Sequence, residues 1–242
     1  MTVLVGGVGQ LYQGDLDLGR HAVEVLAGQD LGAGVLVEDL HYGAVAVVQR
    51  LEDLRPASLV LVGAAQRGRP AGTLERRRVR GVDRPPEELQ LAVGDAVTGY
   101  VTIDLVVEVA FALGALPART VTIEVEPVSV EPAERLSPRA ERLLREVVRL
   151  AAQEARRARL LALADELRAL QLPAGRALTP LDALLAELDA LDEHGGWGRT
   201  FQLREALGEP LAGDGGDDAP GAHGQALARA LVDELDRLAA AR

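Results

Sequence analysis

Two carboxylates, Asp15 and Asp17, stand two residues apart in a glycine-rich stretch. It reads Gly6-Gly7-Val8-Gly9-Gln10-Leu11 and then Gly14-Asp15-Leu16-Asp17-Leu18-Gly19. Carboxylates so placed can hold a cation or activate a water molecule. They can equally cap a following helix or pair with a guanidinium such as that of Arg20. His41-Tyr42-Gly43 is the second group with chemical potential, because an imidazole titrates near neutrality and serves as base or ligand. Of the histidines His21, His41, His194 and His223, His41 is the one that follows a strand on the ligand side of an open sheet. These three residues are therefore candidates for substrate binding. His194 and His223 fall in glycine-rich stretches and read as surface residues.

The pattern of apolar residues supplies the elements that must position these groups. Val3-Leu4-Val5 reads as a buried strand over residues 1–6, and the glycine-rich turn leads into a helix over Arg20–Ala27, closed by Gly28. Val35–Val37 is a second strand, and Ala44–Leu54 has helical spacing that Pro56 prevents from continuing. Leu59–Val62 is a continuous apolar run of the kind buried on both faces, and Leu74–Val79 follows as a fourth strand. Asp104–Leu113 reads as a helix and Thr120–Val125 as a strand. Alternation of strands and helices predicts a three-layer α/β/α domain with a mostly parallel sheet, over residues 1–154.

An α-helical C-terminal extension is expected over residues 155–242. Ser137-Pro138 supplies an N-cap and an N1 proline for a long helix that can run to about Leu172, where Pro173 stops it. Thr179-Pro180 repeats the start signal ahead of a stripe of Leu181, Leu184, Leu185, Leu188 and Leu191. Residues 208–224, rich in Gly, Asp and Pro, read as flexible, and a last helix is expected over Gln225–Ala241. The stripes read as structural leucines, with partner binding as the other use.

Composition removes whole classes of function. A net charge of −11 over 242 residues argues against a nucleic-acid partner. The absence of cysteine excludes disulfides, thiolate metal sites and a cysteine nucleophile. All 26 basic residues are arginine and asparagine is absent, a bias too global for any local function. Gly7-Val8-Gly9 fails as a dinucleotide fingerprint because Tyr12 stands where the third glycine belongs. No Gly-x-Ser-x-Gly elbow, lysine-bearing phosphate loop or His-Glu-x-x-His motif occurs. Arg76-Arg77-Arg78 reads as a solvated face, or as a dock for an acidic segment. Apolar runs fall short of the roughly 20 residues that span a bilayer. The N-terminus enters a strand with no export signal ahead of it, so a soluble cytoplasmic protein is expected, without a membrane partner.

Several ordered segments together resemble the hydrogenase maturation endopeptidase family, which trims the C-terminal extension of nickel–iron hydrogenase large subunits. Val5–Leu11 with Gly14-Asp15 and Gly19 is similar to that family's opening loop and acidic turn. Leu59–Val62 with Gly68-Arg69-Pro70-Ala71-Gly72-Thr73 is similar to its third strand and Pro-Gly-Thr turn. Ala112–Pro117, Val121–Pro127 and Leu136-Ser137-Pro138 are similar to its last helix, last strand and final helix start, so the likeness covers residues 2–152.

The resemblance implies a metal-gripping set of a carboxylate after the turn aspartate, an aspartate after the third strand and a later histidine. Here those places fall on Leu16, Gly63 and the stretch Thr102-Ile103-Asp104. Leucine and glycine offer no donor atom. Gln10 also replaces an asparagine, and Asp17 a small residue. No resident metal or cofactor is expected; nickel would belong to the precursor substrate and be gripped only by a rearranged site. Two functions follow. One is an endopeptidase with a rearranged site of Asp15, Asp17 and Asp104. The other is a catalytically silent relative that binds the hydrogenase large subunit or another assembly factor.

Overall fold

The computed structural model describes residues 2–79 and 101–169, the single positions 81, 85 and 87, and positions 226, 227, 229–231, 233 and 234. The chain divides into two compact units, Met1–Ala155 and Arg156–Arg242.

In the first unit, β1 (Val3–Val8), β2 (Val35–Asp39), β3 (Ser58–Ala64), β4 (Leu74–Val79) and β5 (Arg119–Val125) form one sheet in the order β2-β1-β3-β5-β4. Neighbouring strands run parallel, with Val5 opposite Val37 and Val60, and Val60 opposite Val121. β4 is the exception and lies antiparallel to β5. The helices are α1 (Leu18–Leu26), α2 (Ala44–Leu54), α3 (Ile103–Ala112) and α4 (Pro138–Ala169). A 3-10 helix at Gly14–Asp17 leads into α1. β1 is buried along its whole length and β3 nearly so, as strands covered on both faces must be.

Gly7 and Val8, read from sequence as part of the glycine-rich turn, prove to be strand residues. Gly6 and Gly7 lie inside β1, and the turn begins only after Val8. The reason is packing on both faces of the sheet. A Cβ on Gly6 would meet Leu40 Cδ1 at 2.1 Å, and one on Gly7 would meet the Gly19 carbonyl oxygen of α1 at 2.4 Å. Successive strand residues face opposite sides, so these two contacts mark the two layers. On one side α1 presses against β1 and β3 through Gly19. On the other, Leu40 joins Leu4, Leu61, Val48 and Leu51 with Val106 and Val109 of α3 in one apolar core.

Helix ends follow their sequence signals. Thr102 caps α3 by accepting from Leu105 N at 3.2 Å. Ser137 Oγ accepts from Ala140 N at 3.3 Å, and Pro138 opens α4. α2 closes on Arg55 in the left-handed region, φ 43°, ahead of Pro56.

In the second unit, α4 is followed as far as Ala169. Positions 226, 227, 229–231, 233 and 234 are helical, and Arg159 Nε meets Glu234 Oε1 at 2.6 Å. The stop at Pro173, the leucine stripe from Leu181, His194, His223 and the segment 208–224 lie outside the described residues. No helix among the described residues is long and apolar enough to cross a membrane.

Candidate functional site

The connection from β1 leads to β2 on one side and that from β3 leads past β5 to β4 on the other, so the switch point of the sheet lies between the C-terminal ends of β1 and β3. Open α/β sheets bind ligands at that position. A cleft of about 210 Å³ lies there. Val8, Gly9, Gln10 and Leu16 form one wall, Ala64–Gln66 a second and Val101–Asp104 the third. Its exposed lining is more polar than apolar: Gln10, Gln66, Thr102 and Asp104 bring polar side chains beside the aliphatic Val8, Leu16, Val101 and Ile103.

The structure does not bring Asp15, Asp17 and Asp104 together. Asp104 lines the cleft, whereas Asp15 and Asp17 do not. Among the described residues, no three histidine or carboxylate side chains are grouped as metal ligands would be.

Asp15 is buried and turned toward the loop before α4. Its Oδ2 accepts from Val128 N at 2.9 Å, Ser129 N at 3.1 Å and Ser137 Oγ at 2.9 Å, and its Oδ1 from Ser137 N at 2.7 Å. Neither capping of α1 nor an arginine accounts for it; it clasps two loops to the start of α4. Replacing Asp15 with alanine leaves those donors without an acceptor, and an expected loss of about 3 kcal/mol follows. Chemical denaturation of the Asp15→Ala variant tests this, and stability within about 0.5 kcal/mol of the parent would show the clasp to be idle.

Asp17 pairs with Arg20, as the alternative reading expects. Oδ2 accepts from Arg20 Nε at 2.9 Å and Nη2 at 2.7 Å, and the bond to Asp17 raises the arginine further above its ordinary value. Asp17 Oδ1 would lie 3.1 Å from a Cβ at position 9, so Gly9 keeps room for the buried carboxylate.

Asp104 is gripped by a residue that sequence reading did not single out. Arg67, in the loop after β3, donates through Nη1 to Asp104 Oδ2 and through Nη2 to Oδ1, both at 2.7 Å. The same guanidinium donates from Nε to Glu124 Oε2 at 2.9 Å and from Nη2 to Glu124 Oε1 at 3.0 Å. Glu124 is fully buried in β5 and also accepts from Thr122 Oγ1 at 2.8 Å and Arg77 Nη1 at 3.2 Å. Burial works to raise its pKa, but the bonds from Arg67 and Thr122 and the charges of Arg67 and Arg77 outweigh it and hold the carboxyl at about 2. Arg67 is raised in return, by its bonds to Glu124 and then Asp104. Glu126 works against the same burial. Held low by the backbone N–H of Arg67, the Arg69 side chain and the Gly68 N–H, it fixes the loop from below.

A carboxylate clamped on both oxygens by a guanidinium is held in one orientation, which suits recognition better than proton transfer. The sequence did contain a signal for this network. Glu124 interrupts a buried strand, and an ionised side chain there demands a cation.

Positions 16 and 63 show why no metal-gripping set forms. Leu16 presents an aliphatic wall. At Gly63 a Cβ would sit 2.5 Å from the Val8 carbonyl oxygen and 3.3 Å from Ile103 Cδ1, so the backbone of β1 closes the place where a side chain would begin. These two positions therefore supply no side-chain donor to a metal ion.

His41, Tyr42 and Gly43 lie at the end of β2 and do not line the cleft. His41 Nδ1 is 2.9 Å from Asp39 Oδ2 without the alignment of a hydrogen bond, and its ring meets Tyr42 edge-on at 6.3 Å. Burial, then the Glu38 charge, raises the Tyr42 hydroxyl. Gly43, at φ 106°, starts α2 by accepting from Val47 N at 3.0 Å.

The chain is similar to several solved structures. An endopeptidase from Escherichia coli is 24% identical, with 63% of this chain and 91% of that chain covered and a TM-score of 0.46. The hydrogenase maturating endopeptidase HybD from E. coli is 23% identical, covering 61% and 88%, with a TM-score of 0.44. A hydrogenase 2 maturation peptidase from a Thaumarchaeota archaeon is 22% identical, covering 62% and 95%, with a TM-score of 0.44. No protein-family model matches the chain, and no curated protein does.

Proposed function

We propose that this protein acts in the maturation of nickel–iron hydrogenase large subunits, as a maturation-endopeptidase-like chain that binds its partner without cutting it. One observation carries the reading. The remote segments on which the sequence resemblance placed its site, around Gly9–Leu16, after β3 and at Thr102–Asp104, line a single cleft at the sheet's switch point. The cleft has the place of a ligand site, with a mixed lining in which polar groups predominate. It lacks the chemistry of a metal-guided peptidase, because position 16 is leucine, position 63 has no room for a side chain and Asp104 is clamped by Arg67. The binding role needs no cofactor, and its setting would be the cytoplasm.

Incubation with a nickel-loaded large-subunit precursor tests this directly. The precursor is expected to keep the intact mass of its C-terminal extension and to co-elute with this protein as a stable complex. Loss of the extension would establish proteolysis by a rearranged site, and the absence of any complex would remove the partner.

A further inference from the structure

The sheet ends in two unlike edges. β4, at one end, carries charge at Glu75, Arg76, Arg77 and Arg78, and Arg76 donates to Glu154 of α4 at 2.7 Å. Charged side chains of this kind keep an edge strand from pairing with another chain. β2, at the other end, reads Val35-Leu36-Val37-Glu38-Asp39, with neither proline nor a basic residue, and Leu36 is exposed.

The ladder between β2 and β1 uses alternate residues of β2. Gly34 O accepts from Val3 N at 2.9 Å and Leu40 N donates to Gly7 O at 2.8 Å, with Val3 opposite Val35 and Gly7 opposite Asp39. The main-chain groups of Leu36 and Glu38 therefore face β1, and those of Val35, Val37 and Asp39 point away from the sheet. Val35 N donates to Gly32 O at 3.4 Å. Among the described residues, no hydrogen bond reaches Val35 O, Val37 N, Val37 O or Asp39 N.

This outward set is complementary to its own reverse. With Val37 on a two-fold axis and the strands antiparallel, Val37 N–H and C=O exchange bonds with those of a second copy. Each Asp39 N–H then meets the other copy's Val35 C=O, and the engaged Val35 N is not required. Side chains agree with that register. Val37 stands opposite Val37, Leu36 opposite Glu38 and Val35 opposite Asp39, so no like charges meet across the axis. The Glu38 carboxylate is already paired within its own copy, accepting from Arg50 Nε at 3.0 Å.

We infer that β2 is the contact between two copies of this chain, joined edge to edge about a two-fold axis at Val37 into one continuous sheet. The contact uses both β2 edges and leaves the charged β4 outermost, so assembly closes at the dimer. Because the paired strands are antiparallel, the clefts at their C-terminal ends open in opposite directions. The dimer stands apart from the function proposed above, and either can fail without the other.

Sedimentation of the full chain over a range of concentrations tests it, and a passage from one copy to two is expected. Val37→Pro removes an N–H aimed at the second copy and no bond within the sheet. It should weaken self-association at least roughly tenfold while leaving the circular dichroism unchanged. Leu36→Glu, set opposite Glu38 of the other copy, should weaken it too, whereas Leu36→Lys should not. A single copy at every concentration overturns the inference, as does a dimer that Val37→Pro and Leu36→Glu leave intact. Species larger than two copies exclude the two-fold closure. If Val37→Pro loses its fold, the Leu36 variants decide, and a Leu36→Glu dimer as tight as that of Leu36→Lys rejects the register.

Discussion

Placing an aspartate at position 63, as a metal-gripping set would require, is expected to destabilise this protein by about 4 kcal/mol rather than create a site. Three effects add in one direction. The new Cβ would press on the Val8 carbonyl oxygen, 2.5 Å from its ideal position, and backbone hydrogen-bonded into a central strand cannot move aside. Its register neighbour on β5 is Glu124, so a second carboxylate would stand beside one already buried and ionised. The nearest guanidinium, Arg67, already serves Glu124 and Asp104. For a unit of this size the melting temperature should fall by roughly 10 °C. Gly63→Ala separates the causes, and should cost about 2 kcal/mol from crowding alone. A Gly63→Asp variant as stable as the parent, or one gaining stability with added nickel, would show that β1 and β3 can part and that the metal-free reading of the cleft is wrong.

Removal of Arg67 should have an effect as large and a distinctive pH dependence. Arg67→Met keeps the aliphatic stem but leaves Glu124 buried with weaker partners, at an expected cost near neutrality of about 4 kcal/mol. In the parent, the Glu124 carboxyl falls from an ordinary 4.5 to about 2 on folding. A depressed carboxyl contributes stability that is present above its unfolded value and lost as pH falls through its folded value. That contribution, about 3 kcal/mol, should therefore disappear between about pH 5 and pH 2. In the variant, burial is opposed by fewer charges, so the pKa rises and protonation on acidification relieves the unpaired charge. The gap between parent and variant should be widest at pH 7 and narrow below about pH 4. Urea unfolding at pH 7 and pH 4 measures it. A gap of constant size would mean that Arg67 acts through packing and that Glu124 is not the group it serves.

Sequence periodicity carried most of the architecture because each element announces itself locally. Leu59–Val62 could only be a strand buried on both faces, and the helix over Ala44–Leu54 and the strand over Leu74–Val79 have the same ends in sequence and structure. Ser137-Pro138 opened α4 where capping chemistry placed it. Errors arose where a residue's reason lay on another element. Gly7 looked like a turn residue because glycine's commonest local use is conformational freedom, whereas here it makes room for Val23 and for the backbone of α1.

The candidate site divides along the same line. The residue types at positions 16 and 63 were enough to leave those two places without a metal donor, since a missing donor atom is missing in any fold. Which acids are free was decided by partners far off in the chain. Asp15 is claimed by Ser137, more than 120 residues away, and Asp104 by Arg67, 37 residues away. A carboxylate's chemistry depends on the donors within about 3 Å of it, and only the folded sheet brings those donors there. Sequence alone established the layered scaffold and the missing ligands; tertiary structure alone showed that one arginine ties together the acids left beside the cleft.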